Sequence, residues 1–209
     1  MNTTERDFNQ AAATWDEKPQ RVKLAGEVAD AIIREVELTR EMNVLDFGCG
    51  TGLLTLRLQP FVRTIIGVDS SQGMLDVFNA KIAAAELDNI CSMFCDLAKG
   101  DTLKGRYHLI ISAMTLHHVK EIEALLGAFH AALITGGILC LADLDLDEGQ
   151  FHDDNTGVFH FGFDRAALRA ALNKAGFVDG RDLTAAEIVK PVGDGTTKNF
   201  SVFLMTARK

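Results

Sequence analysis

The run Val44-Leu45-Asp46-Phe47-Gly48-Cys49-Gly50-Thr51-Gly52 constrains this chain more than any other stretch. Apolar strand-forming residues end at Asp46, three glycines follow at alternate positions, and Leu53-Leu54-Thr55-Leu56 opens a helical pattern. Glycine lets a backbone turn sharply and approach a ligand closely. A helix starting behind such a turn directs free N–H groups and a partial positive charge at whatever lies in front of it. Strand, glycine turn and helix together predict a cradle for a nucleoside-like ligand. The spacing is G-x-G-x-G, whereas dinucleotide folds use G-x-G-x-x-G, so a nicotinamide cofactor is disfavoured by register.

A second unit strengthens this. Thr64-Ile65-Ile66-Gly67-Val68 is another apolar strand, and it ends at Asp69, 17 residues past Gly52. A carboxylate there can accept hydrogen bonds from both ribose hydroxyls of a nucleoside lying across the first loop. Asp69 could instead cap the helix carrying Met74, Leu75, Phe78 and Ile82, although Ser70 or Ser71 can supply that cap.

The middle of the chain alternates strand and helix: 44–47, helix 53–59, 64–68, helix 71–87, 91–95, 107–113, helix 121–133 and 137–143. Alternation of this kind builds a parallel sheet with helices on both faces. Its ligands sit beyond the carboxyl ends of the strands, where Asp46, Gly48, Asp69, Asp96 and Met114 all fall. In front lies an arm, residues 1–42, whose Val22, Ala25, Val28, Ala29, Ile32, Ile33 and Val36 recur at helical spacing. Residues 144–163 interrupt the rhythm and close with Phe159-His160-Phe161-Gly162-Phe163. A long insert in a compact domain is usually functional or mobile, so this one is a candidate substrate lid. Asp143-Leu144-Asp145-Leu146-Asp147, leading into it, predicts a strand edge with one solvated face. Asp164 then caps a helix with Leu168, Ala171, Leu172 and Ala175 that Gly176 closes, before two last strands near 183–190 and 199–207.

With these elements in place the chain resembles the class I S-adenosylmethionine-dependent methyltransferases over most of its length. Asp46 to Gly52 resembles the family's first motif, Asp69 its ribose-binding acid, and Cys95-Asp96-Leu97 the element after the third strand. Leu109 to His118 resembles its fourth strand and the loop beside the methyl donor, and Gly136 to Leu141 its fifth strand. Leu116-His117-His118-Val119 is similar to the ubiquinone and menaquinone biosynthesis subgroup, which methylates small molecules. The resemblance implies an α/β, Rossmann-like, doubly wound seven-stranded sheet, mostly parallel with an antiparallel last strand. It implies one domain over 1–209: an arm (1–42), a cofactor-binding core (43–143), an insert (144–163) and a C-terminal helix with strands (164–209). It also implies S-adenosyl-L-methionine as methyl donor and S-adenosyl-L-homocysteine as product. The donor residues would be Asp46, Gly48, Cys49, Gly50, Gly52, Asp69, Ser70, Met74, Asp96, Leu97, Ala113 and Met114, with Asp96 accepting from the adenine amino group. Trp15, in a segment from Phe8 to Asp16 that folds over the donor in that family or else packs on the core, would join them, as would Arg21.

A net charge of −8, with no run of Lys or Arg, argues against a nucleic-acid acceptor. The first residues have no apolar signal core, and no uninterrupted apolar stretch approaches the ~20 residues of a membrane span. Cys49, Cys91, Cys95 and Cys140 match no zinc spacing, and Cys91 and Cys95 are expected as small core residues. A reducing cytoplasm is the expected location. Oligomeric state is open.

Methyl transfer from a sulfonium is chiefly a problem of alignment, worth about 7–11 kcal/mol in favourable cases. A hydroxyl or weakly acidic carbon needs a base as well. His118, and then His117, are the candidate catalytic groups, although either could pack structurally. Phe8, His152 and His160 are the candidate substrate contacts. No metal is expected: Ala113-Met114 stands where catechol-type enzymes of the resembling family carry a magnesium-binding Asp. A protein that holds the donor without turnover is the alternative.

Overall fold

The computed structural model describes residues 6–192 and 195–209, so the first five residues of the expected arm lie outside it. The arm begins with α1 (Phe8–Ala11), a 3-10 turn (Ala12–Glu17) and α2 (Pro19–Glu35). Proline at the first turn of α2 costs no hydrogen bond, because that N–H has no helical partner. The core then runs β1 (Asn43–Phe47), α3 (Leu53–Leu58), β2 (Thr64–Asp69), α4 (Gln72–Ala84), β3 (Ile90–Phe94), β4 (Tyr107–Ala113), α5 (Ile122–Ala132) and β5 (Leu133–Leu144). It ends with α6 (Arg165–Lys174), β6 (Val178–Pro191) and β7 (Thr197–Arg208).

The seven strands lie in the order β3-β2-β1-β4-β5-β7-β6. β3, β2, β1, β4 and β5 run parallel, and β7 inserts antiparallel between β5 and β6. The chain starts in the middle, winds outward through β2 and β3, then returns to β4 on the other side of β1. That reversal opens a crevice beyond the carboxyl ends of β1 and β4, the usual ligand position in sheets of this kind.

Alternate strand residues feed two separate cores. In β4, Ile110 joins the cluster under α5 and α6 with Leu126, Phe129 and Leu172. Its neighbours Leu109 and Ile111 join the cluster under α2 and α3 with Val28, Ile32 and Leu58. Burial on both faces is why the inner strands are continuous apolar runs. Ser71 caps α4 by accepting from Met74 N–H at 3.3 Å, and Asp164 caps α6 by accepting from Ala167 N–H at 2.7 Å. No helix among the described residues is long and apolar enough to cross a membrane.

Two expectations are corrected. Asp143, Asp145 and Asp147 do not mark a solvated face. Asp143 is fully buried against His117, Asp145 is clamped by Arg165 at 2.6 and 2.7 Å, and buried Asp147 accepts from the N–H groups of Gly149 and Phe151. The exposed member of that run is Leu146. Cys91 is exposed rather than packed inside, because β3 is an edge strand with little covering it.

Candidate active site

The loop after β1 sets the geometry. Gly48 N–H and Cys49 N–H both donate to Val68 O, at 2.8 and 3.1 Å, which folds the loop against the end of β2. Its glycines at positive φ serve different purposes. At Gly52 (φ +80°) an added Cβ would lie 2.1 Å from the buried Phe78 ring, so α4 packs through the missing side chain. At Gly50 (φ +52°) the nearest atom to an added Cβ is Met74 Sδ, 4.0 Å away, and the open space there is the cavity. Gly52 therefore belongs to the packing beneath the loop rather than to the cavity wall.

Asp69 holds this loop. Its Oδ2 accepts from Gly50 N–H and its Oδ1 from Ser71 N–H, both at 2.8 Å. Burial raises its pKa, and hydrogen bonds from the Ser71, Gly50 and Ser70 backbone oppose the rise. With these backbone bonds made, the carboxylate still keeps acceptor capacity. Asp46, fully buried, accepts from the Thr55 hydroxyl, and burial pushes it up to about 7.

The arm is tied to the same loop. Asn9 Oδ1 accepts from Ser71 Oγ at 2.9 Å and Gly73 N–H at 2.8 Å. Thr51 Oγ1 donates to Asp16 at 2.6 Å, while Lys81 pairs with Asp16 and donates to Thr51 O at 2.7 Å. Arg21 stacks 3.5 Å over the Trp15 ring, and Phe8 sits edge-on to both Trp15 (6.0 Å) and His118 (5.1 Å).

Together these elements enclose a cavity of about 490 Å³. Of the donor residues named from sequence, Asp46, Gly48, Cys49, Gly50, Asp69, Ser70, Met74, Ala113, Met114, Trp15 and Arg21 line it. Phe8, His117, His118 and His152 line it too. Asp96, Leu97 and His160 do not. Asp96 accepts from Ala98 N–H at 3.1 Å and pairs with Lys99 at 2.9 Å, so its carboxylate caps its own turn. His160 reaches Val119 O at 2.9 Å and stacks at 5.2 Å on Phe163, which makes it a fastener of the insert.

Two features of the cavity fit S-adenosylmethionine: the open space at Gly50 and the half-buried Asp69 carboxylate at the end of β2. Met114, on the same wall, is strained. It adopts φ +55° without being glycine and is held by its N–H to Ala142 O at 2.8 Å. Backbone strain of this kind persists where the surroundings over-determine it, often at functional sites.

The cavity wall also carries three imidazoles. His117 is buried, with Nδ1 2.7 Å from Asp143 Oδ1, and His118 Nδ1 is 2.7 Å from Gly157 O. Carbonyl and carboxylate oxygens only accept, so both Nδ1 atoms carry the proton and Nε2 holds the lone pair of each neutral ring. His152 arrives from the insert with its ring centroid 4.9 Å from His117 and 5.8 Å from His118. Burial, then repulsion from neighbouring histidines, lowers His118 and His152 to about 4. The insert is pinned here: Phe159 and His160 N–H both donate to His117 O, at 2.9 and 3.3 Å. Sequence reasoning named all three histidines but missed Asp143 and the gathering of the three, because nothing in the spacing folds position 152 back onto 117.

Residues 20–179 match the family model described as a methyltransferase domain. An uncharacterized methyltransferase of Schizosaccharomyces pombe is 32% identical over 135 residues, covering 58% of this chain and 48% of that one. A ubiquinone biosynthesis O-methyltransferase of Bradyrhizobium diazoefficiens is 27% identical over 149 residues, covering 65% and 58%. This chain thus spans about half the length of the curated relatives it matches. Among solved structures, Haemonchus contortus phosphoethanolamine N-methyltransferase 2 in complex with S-adenosyl-L-methionine superposes with a TM-score of 0.69 at 16% identity. That match covers 87% of this chain and 52% of that one, and at such identity the likeness is one of fold.

Proposed function

The chain belongs to the methyltransferase-domain family, and we propose that it moves a methyl group from S-adenosylmethionine to a small-molecule acceptor. The observation that carries this reading is the single cavity, with the glycine loop and Asp69 at one end and an apolar wall with histidines at the other. The bound sulfonium supplies an electrophilic methyl group. Asp69 and the Gly50 loop hold the nucleoside end. Met114, Phe8 and Phe151 exclude water from the reacting end, and alignment there is the main source of rate. His117 and His118 present free Nε2 lone pairs to the acceptor, and Asp143 orients the His117 ring.

A protein that only stores the donor would have no use for this second half of the cavity. The ubiquinone biosynthesis O-methyltransferase among the relatives is a precedent for oxygen as the accepting atom. The test is titration calorimetry with S-adenosylmethionine, S-adenosylhomocysteine and NAD, followed by a screen of small acceptors with radiolabelled donor. Micromolar binding of both sulfur nucleosides, none of NAD, and label transfer to a small molecule are expected. Donor binding without transfer to any acceptor class would favour the storage reading, and absence of donor binding would remove both.

A further inference from the structure

We propose that His117, His118 and His152 form a binding site for a divalent transition-metal ion of the zinc class, at the acceptor end of the cavity. One ring nitrogen of each lies within 4.8 Å of the other two, and all three side chains line the cavity. They come from different parts of the chain: two from the turn after β4 and one from the insert.

The donor set has the chemistry such an ion selects. Imidazole suits zinc, copper, iron and nickel, and three protein nitrogens with an open fourth position is a pattern of catalytic zinc. The surroundings are already those of a metal-binding histidine. Ligating imidazoles donate their second N–H to a carboxylate or backbone carbonyl, which fixes the tautomer and leaves the other nitrogen for the ion. His117 does this to Asp143 and His118 to Gly157 O, both at 2.7 Å. Asp143 is itself held by Leu144 N–H at 2.7 Å and His117 N–H at 3.3 Å.

His152 makes the independent argument. Its Nε2 is buried and has no hydrogen-bond partner among the described residues. Buried polar atoms are rarely left that way, and an absent ion is one of the explanations such an atom calls for. Arg6, the charged group that opposes His118 and His152 from the arm, competes with a cation there, whereas Asp143 and Asp147 favour one. Tetrahedral ligands about 2.0–2.1 Å from zinc stand roughly 3.3 Å apart, so the rings must close by about 1.5 Å at most. The loop carrying His152 is irregular and can supply that movement.

If the methyl-transfer reading stands, the ion takes the Nε2 lone pairs in place of direct contact between histidine and acceptor, and narrows the acceptor to a hydroxyl or thiol. Coordination lowers the acceptor's pKa, and its proton leaves to solvent. The oxygen or sulfur lone pair then attacks the methyl carbon as the carbon–sulfonium bond breaks, its electron pair remaining on the sulfur of the product.

The experiment uses the chain without a histidine tag, stripped with chelator and titrated with Co²⁺ in the absence of donor. One equivalent should bind, with the visible absorption of a tetrahedral site, and Zn²⁺ should displace it. His152→Ala should weaken binding at least tenfold and abolish the visible band, with the circular dichroism spectrum unchanged. Asp143→Asn should weaken it about 10–100-fold. His117→Ala is avoided because that side chain is packed inside the fold. No saturable Co²⁺ binding, or full-affinity binding by a folded His152→Ala, overturns the site. Donor titration without metal, on the same preparation, separates the two ideas: donor binding without Co²⁺ binding removes only the metal, and the reverse removes only the methyl donor.

Discussion

Adding one methyl group at Gly50 and one at Gly52 should produce opposite failures. At Gly52, alanine must take φ +80°, which costs about 1–2 kcal/mol for a residue with a Cβ. The new Cβ would also lie 2.1 and 2.2 Å from Phe78 Cδ2 and Cε2. Phe78 is completely buried and cannot swing aside, so overpacking adds about 1–3 kcal/mol. The sum, about 2–5 kcal/mol, should lower the melting temperature by on the order of 10 °C in a domain of this length. At Gly50 the backbone cost is the same about 1–2 kcal/mol, but the Cβ meets nothing closer than 4.0 Å. Its clash is with the ligand instead, where the same overpacking of about 1–3 kcal/mol reduces donor affinity roughly 5- to 150-fold. Differential scanning calorimetry and donor titration on both variants decide it. A Gly52→Ala protein that melts like wild type, or a Gly50→Ala protein that binds donor normally, would refute the division of labour within the loop.

Asp69→Ala should weaken donor binding by a few kcal/mol, since charge-assisted hydrogen bonds contribute about 1.5–3 each, and unchanged affinity by calorimetry would remove the ribose role. It should also lower stability, because Gly50 and Ser71 N–H lose their acceptor. His118→Ala should depress turnover with donor affinity nearly intact; loss of donor binding would instead move His118 to the nucleoside end. Asp46 gives a pH signature: its folded-state pKa of about 7 lies above its ordinary 3.8, so the folded chain holds the extra proton between these values. Its contribution to stability therefore falls by up to about 4 kcal/mol as pH rises from about 4 to about 7, then levels off. Chemical denaturation across that range should show the slope, and Asp46→Asn should flatten it.

The glycine-loop side of the cavity was legible because its parts are local. A strand end, a glycine turn and a helix start lie within a dozen residues, so Gly48, Gly50 and Asp69 follow from short-range patterns that tertiary packing had no reason to override. Even there, spacing could not tell a glycine that faces ligand from one that faces Phe78, since both need the same backbone conformation. Asp96 poses a similar problem: an acid at a strand end can serve a ligand or cap its own turn, and here it caps its turn outside the cavity lining. The parallel sheet followed from alternation and its antiparallel last strand from the family resemblance, whereas the lengths of β5, β6 and β7 were underestimated because Gly136, Gly137 and polar edge residues interrupt the apolar runs.

The histidine side of the cavity was legible as a set of residues but not as an arrangement, for a different physical reason. His117 and His118 are adjacent in sequence, but a 3-10 turn separates their directions: one faces buried Asp143 and the other the Gly157 carbonyl. His152 and Phe8 come from segments with no periodic pattern, fixed by hydrogen bonds across the molecule such as Asn9 to Ser71 and Phe159 to His117. Contacts of that kind leave no trace in local spacing. The same arrangement separates two tasks within one cavity. The strand ends are buried in two apolar cores and carry the glycine-loop end, while α1 lies outside those cores, and both it and the insert are tied down by polar bonds. Substitutions at Phe8, Phe151 or His152 can therefore reshape what is methylated without disturbing the sheet, and substitutions in the glycine loop cannot.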